Sequence, residues 1–207
     1  QIIEMKLLSI DIGIKNLGLV LFEVNQGFLL KECHRMELID ITQFHHPLGC
    51  HEKDCTLRHE KTICDWMSHV FLTFEDMFDK SETILIERQP PIGLVAVEQS
   101  IFTKYRSKCH LVSPNSVHCF HEFKTRSYEK RKRMAEKLFR KFLKTRSPHL
   151  VPKYQTYERK HDLADAYTQS AYWCGKKRKE KIQIDNRTKL LRTQTVYKGK
   201  RILIGDL

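Results

Sequence analysis

The sequence predicts an α/β fold in one domain: a central sheet of about five strands flanked by helices. Three observations carry this. Short apolar, strand-like runs alternate along the chain with longer segments of helical spacing. The 207 residues are enough for one well-buried domain, of roughly 150–200 residues, but would cramp two. Hydrophobic content of 41% with 30% charged residues is globular rather than disordered.

Met5–Ile12 reads as a buried strand, Leu17–Val24 as a second and Phe28–Met36 as a third. The turn Asn25-Gln26-Gly27 makes strands two and three a hairpin. Asp65–Phe78 places Trp66, Val70, Phe74 and Phe78 on one helical face, with Met67, Phe71 and Met77 beside them, as core packing. Ser81–Glu87 is a fourth strand, stopped by Gln89-Pro90-Pro91-Ile92-Gly93. Leu94–Tyr105 is a helix whose apolar face suits either a core or a symmetric interface. His110–Val112 is a short fifth strand, and Ser113-Pro114-Asn115-Ser116 reads as a turn. Tyr128–Leu143 is a basic amphipathic helix that buries Met134, Ala135, Leu138, Phe139 and Phe142. His161–Gly175 is the last core helix, with Gly175 suited to its C-terminal cap. Lys and Arg dominate beyond it, with two β-prone runs, Thr195–Tyr197 and Arg201–Ile204. The expected organisation is a domain over 1–175, carrying an insertion at about 45–64, and a basic extension over 176–207.

A net charge of +12 points to a polyanionic partner. The longest apolar runs, Leu17–Val24 and Ile84–Ile86, fall far short of the roughly 20 residues of a membrane helix. Gln1-Ile2-Ile3-Glu4-Met5-Lys6 runs directly into a strand, so a signal peptide is not expected. Seven cysteines, an odd number and mostly scattered, suggest reduced thiols in an intracellular compartment.

Against this positive charge, four acids stand out. Asp11 lies in Leu8-Ser9-Ile10-Asp11-Ile12-Gly13 and Glu87 follows Ile84-Leu85-Ile86; both end apolar strands. Asp162 and Asp165 sit three apart on a helix and share a face. Taken singly, a strand-end Asp is usually a cap and a helical Asp pair is usually solvated. An unpaired carboxylate among apolar residues, however, is expensive to bury. Phosphodiester hydrolysis by two divalent ions, about 3.5–4 Å apart, needs such carboxylates to hold them, and Mg²⁺ prefers carboxylate oxygen and water.

Asp11-Ile12-Gly13-Ile14-Lys15-Asn16-Leu17-Gly18, Ile86-Glu87-Arg88-Gln89-Pro90 and His161-Asp162-Leu163-Ala164-Asp165-Ala166 resemble the motifs of RuvC-type Holliday junction resolvases, in the poxvirus and large-DNA-virus branch. The resemblance covers roughly Met5–Leu30 and Thr83–Gly175. It implies an RNase H-like fold with a mixed sheet, a homodimer, and paired symmetric nicking of four-way DNA junctions during recombination or replication. It also implies Mg²⁺ or Mn²⁺, two per site, and products with a 5′-phosphate and a 3′-hydroxyl. Asp11 would bridge the ions, Glu87 and Asp165 would hold one each, and Asp162 would be shared or support them. The compartment would be a site of DNA replication: nucleus, viral factory or mitochondrion. Two other readings stand beside this one. One is another RNase H-like nuclease, acting on RNA–DNA hybrids, flaps or branches. The other is a non-catalytic junction-binding module. Asp11-x-Gly13-x-x-Asn16 also resembles a phosphate loop of actin-like ATPases, but that fold needs roughly twice this length. No small-molecule cofactor is expected.

Lys130, Arg131, Lys132 and Arg133 open the basic helix and suit DNA phosphates, contacts that position a duplex without reading sequence. Lys15 and Arg88 flank the acids and could touch the adjacent phosphate or pair with the carboxylates. His161 suits proton transfer or a supporting hydrogen bond. In the insertion, Cys50, Cys55 and His59 could ligate a structural Zn²⁺ with Cys64, His46 or His51 as fourth ligand, although the spacing is not a strong zinc pattern.

Overall fold

Alternation along the strands sets up two cores, one on each sheet face. A computed structural model describes residues 4–42, 62–123 and 126–202, with side chains only as far as 189. Five strands, β1 (Met5–Asp11), β2 (Leu17–Val24), β3 (Leu30–Ile39), β4 (Thr83–Glu87) and β5 (Cys109–Val112), form one sheet in the order β3-β2-β1-β4-β5. β1 pairs antiparallel with β2 and parallel with β4, and β4 pairs parallel with β5, so the sheet is mixed. Leu7, Val20, Phe22 and Leu85 point to one face; Leu8, Ile10, Leu19, Ile84 and Ile86 point to the other.

The second face is covered by α1 (Ile63–Thr73), α2 (Glu75–Asp79) and α3 (Val95–Lys104), through Met67, Val70, Phe78, Val97 and Ile101. The first is covered by α4 (Pro114–Phe120), α5 (Tyr128–Arg146), a 3-10 turn at Pro148–Leu150, α6 (Val151–Thr156) and α7 (Lys160–Ile202). On α5, Ala135, Phe139, Phe142 and Leu143 are buried, and Phe139 stacks on Tyr167 of α7 with ring centroids 5.1 Å apart.

Several elements depart from the sequence expectation. The third strand begins at Leu30, because Asn25 accepts hydrogen bonds from Gly27 and Leu29 and Phe28 takes φ 55°, extending the turn. The helix expected over Asp65–Phe78 breaks at Phe74, which leaves helical geometry and closes α1 before α2 starts. Ser113-Pro114-Asn115-Ser116 opens α4 instead of making a turn: Pro114 is its first residue, where a missing N–H costs nothing. The helix expected to end at Gly175 continues unbroken to Ile202, and the β-prone run Thr195–Tyr197 lies within it. A Cβ at position 175 would lie 2.7 Å from the Phe120 ring, so Gly175 admits α4 against α7 and caps nothing.

Candidate metal centre

The acids meet because three elements converge at one end of the sheet. β1 and β4 are parallel neighbours with Ile10 opposite Ile86, so Asp11 and Glu87 leave the sheet side by side at its carboxyl end. Both share parity with Leu7 and Leu85, so both face α7. α7 brings Asp162 in its first turn and Asp165 one turn later, at the helix end whose dipole favours negative charge.

Two contacts fix that approach. Gly18 lies opposite Asp11 in the β1–β2 ladder, and a Cβ there would be 3.1 Å from the Asp162 carbonyl oxygen. Only a glycine lets the first turn of α7 settle onto β2 without displacement. One turn beyond Asp165, Gln169 Nε2 donates to Ser9 Oγ at 3.0 Å and lies 3.4 Å from the Ile10 carbonyl, both buried in the core.

Asp11, Asp162 and Asp165 each bring a carboxylate oxygen to within 4.8 Å of the other two. Glu87 stands beside Asp11 on the neighbouring strand, close enough for the two carboxyls to influence each other's ionisation. Burial, then the charges of Asp165 and Glu87, hold the Asp11 carboxyl well above its usual range. Burial also raises Glu87 and Asp165. Lys132 reaches in from α5 and pairs with Asp165. Burial works against its charge, but the Asp165 carboxylate outweighs that and the ammonium pKa rises. Asp162 is held from outside by Arg159 Nε at 3.0 Å and His161 Nε2 at 3.2 Å. One buried and three half-buried carboxylates that repel one another, with an ammonium drawn among them, form a ligand set suited to hard divalent cations. Beside it opens a cleft of about 180 Å³, whose walls include Glu87, His118, Tyr128, Arg131, Lys132 and Asp165.

A family model described as the poxvirus A22 protein matches residues 5–174. The chain belongs to the poxvirus A22 protein family. The solved structures it resembles include a fowlpox virus resolvase in complex with substrate Holliday junction DNA. That match has TM-score 0.60 and 16% identity, covering 83% of this chain and 98% of that one. The fowlpox virus Holliday junction resolvase alone matches at TM-score 0.56 and 15% identity, covering 83% and 99%. At these identities the likeness establishes a shared fold, the mixed five-stranded architecture expected from the sequence. No curated protein gives a significant match.

Within this A22-family fold three of the four sequence-selected acids, Asp11, Asp162 and Asp165, cluster, Glu87 stands beside them on β4, and His161 touches Asp162. The basic residues divide. Lys132 enters the acid cluster, and Arg131 lines the cleft with its guanidinium 6.0 Å from the Tyr128 ring centroid. Lys130 and Arg133 are exposed on α5. Lys15 and Arg88 are exposed beside the site without lining the cleft, and the Arg88 backbone N–H caps β5 at Val112. Of the zinc candidates, Cys50, Cys55 and His59, with His46 and His51, lie outside the described residues; Cys64 is exposed at the start of α1. Sequence reasoning missed Gln169, Arg159 and His118. The first two have a signal: Gln169 is four residues after Asp165, and Arg159 is three before Asp162. His118 has none, because α4 read as a turn.

Proposed function

We propose that this chain is a divalent-metal-dependent endodeoxyribonuclease that resolves four-way DNA junctions by paired symmetric nicks. The observation that carries the reading is the convergence of four carboxylates and Lys132 at the carboxyl ends of β1 and β4, beside an open cleft, in a protein of charge +12. Membership of the A22 family and likeness to a resolvase bound to Holliday junction DNA support it.

Asp11, Asp162, Asp165 and Glu87 would hold the ions, two per site, Mg²⁺ or Mn²⁺. Bound there, such ions would make water a better nucleophile and neutralise charge building on the phosphate. The protein's own groups do the rest. Gly18 and Gln169 keep the two α7 carboxylates in register with β1. Arg159 and His161 orient Asp162. Lys132 and Arg131 stand on the cleft side of the acids, where a scissile phosphate would lie against them. Exposed Lys130 and Arg133 continue that cationic surface along α5 for the flanking backbone.

A four-way junction has two-fold symmetry, so paired nicks require two sites, and a homodimer supplies them. On α3, Val97, Ile101 and Tyr105 pack into the core while Leu94, Val95 and Phe102 remain partly exposed, a surface available to a second copy. Among the described residues, no helix is long and apolar enough to cross a membrane. Membership of the poxvirus A22 family supports action at sites of DNA replication.

Competition tests the selectivity. A labelled immobile junction is nicked in Mg²⁺ against excess unlabelled junction, linear duplex or RNA–DNA hybrid. Only the unlabelled junction should suppress nicking strongly. Stronger suppression by the hybrid would keep the fold and replace the substrate.

A further inference from the structure

The face of α7 that carries Asp165 into the cleft does not end there. At 100° per residue, Thr168, Tyr172, Lys176, Lys179 and Arg187 all lie within about 60° of Asp165 around the helix axis. Asp165 and Thr168 line the cleft itself. Next along the same face is a hollow of about 320 Å³ lined by Phe120, Tyr172, Lys176, Lys179 and Gln183, with one carboxylate, Glu180. The Phe120 ring, 41% exposed, meets Tyr172 edge-on at 5.7 Å, so the passage from cleft to extension is an open aromatic step. At 1.5 Å per residue, Lys176 lies about 16 Å and Arg187 about 33 Å along the axis from Asp165.

The cations of the extension are partitioned by face. Away from the stripe, Lys177 lies 5.9 Å from the Trp173 ring centroid and pairs with Glu180 at 3.1 Å. Lys181 donates to the Gln26 carbonyl at 3.0 Å, and Arg178 lines a groove with Phe28 and Leu30. On the stripe, Lys176 has one 4.0 Å approach to Glu180. Lys179 and Arg187 are exposed with no anionic partner among the described residues. Positions 181–189 are exposed without exception, so no apolar face ties this stretch to the body. The matched family region ends at residue 174, before the stripe's first lysine.

We propose that Lys176, Lys179 and Arg187 form a DNA-backbone track that holds a duplex arm leaving the cleft. The occupant follows from charge and direction: exposed cations in line with the cleft, of which Lys176 alone approaches a carboxylate among the described residues, cover about 17 Å of helix and end about 33 Å from Asp165, close to one duplex turn of roughly 34–36 Å. Because the track shares a helix with Asp162 and Asp165, an arm seated on it is held in fixed relation to the acids. This inference rests on the reading that the cleft acts on DNA.

The test uses the full chain in EDTA, with fluorescence anisotropy of a labelled linear duplex and a labelled four-way junction across a salt series. The track variant is K176Q/K179Q/R187Q. A charge-matched control, K177Q/R178Q/K181Q, removes the same three charges from the other faces. Each lost phosphate contact lowers the slope of log K against log salt by about 0.9, so the track variant should lose up to about 2.7 in slope. Its deficit in affinity should close as salt rises. The control should keep the wild-type slope. Equal loss in both variants would reduce the effect to net charge and overturn the track, as would a track variant that binds like wild type. Binding is read without metal, so these outcomes stand whether or not the chain nicks. Failure of the wild-type chain to bind either DNA would instead remove the nuclease reading together with this one.

Discussion

Gly18→Ala should separate activity from stability. The new Cβ would sit 3.1 Å from the Asp162 carbonyl oxygen, 3.3 Å from its carbonyl carbon and 3.5 Å from Asp11 Cβ. The first two are backbone atoms of the α7 first turn, and relief requires that turn to retreat by a few tenths of an ångström. Stability should barely move: removing a strand-interior glycine returns roughly 0.5–1 kcal/mol, against a similar or slightly larger cost of overpacking. The acids are less tolerant, since about 1 Å of misplacement can cost roughly 100-fold in rate. A shift of a few tenths should therefore slow nicking several-fold in Gly18→Ala, and a bulkier Gly18→Val should approach the 100-fold figure. The assay is single-turnover nicking of a junction at saturating Mg²⁺, with melting temperature measured in parallel. Wild-type rates in both variants would refute the claim that Gly18 sets the distance between α7 and β1.

Four further outcomes are expected. Without metal, Asp11→Asn should melt above wild type, because it removes one of several mutually repelling buried carboxylates; Mg²⁺ should raise the wild-type melting temperature, by the equivalent of about 2.7 kcal/mol at 100 times the dissociation constant, and leave the variant nearly unmoved. Gln169→Leu strands the buried Ser9 hydroxyl and should cost about 1–3 kcal/mol in denaturant melts while slowing nicking through the loosened α7. Hydrogen bonding from Lys6 holds the Glu23 carboxyl at about 2, below its ordinary 4.5, so its contribution to stability is present above pH 4.5 and is lost as pH falls toward 2. The melting-temperature gap between wild type and Glu23→Gln should accordingly be wide at pH 6 and close near pH 2. Gly175→Ala should leave stability unchanged or raise it by up to about 1 kcal/mol, since alanine favours a helix interior and the exposed Phe120 ring can swing aside; a loss would show that the Phe120 ring cannot yield and that α4 needs a glycine at position 175.

The acid set was legible because strand ends and helical spacing are local properties. Ile84-Leu85-Ile86 announces a strand that must stop at Glu87, and a spacing of three puts Asp162 and Asp165 on one face whatever the fold. What stayed hidden depends on contacts distant in sequence. Gly175 looks like a cap until Phe120, 55 positions earlier, is seen against it. Pro114 reads equally as a turn or as the first residue of a helix, and α4's packing against α7 decides. Lys132 looks like its neighbours Arg131 and Arg133, yet the pitch of α5 aims it at Asp165 while Arg133 stays exposed. Gly18 sits inside an apolar strand with no local reason to be glycine; the reason is the Asp162 backbone, which arrives from the far end of the domain.

The central claim is that Asp11, Glu87, Asp162 and Asp165 form one metal-dependent nuclease site for branched DNA. The most direct measurement labels each strand of an immobile four-way junction in turn and maps the nicks made in Mg²⁺ by the full chain, by Asp11→Asn and by Asp165→Asn. The account predicts nicks at symmetric positions in two opposing strands, absent from both variants while junction binding persists. A junction that is bound but never cut, or cutting that survives either substitution, would contradict it.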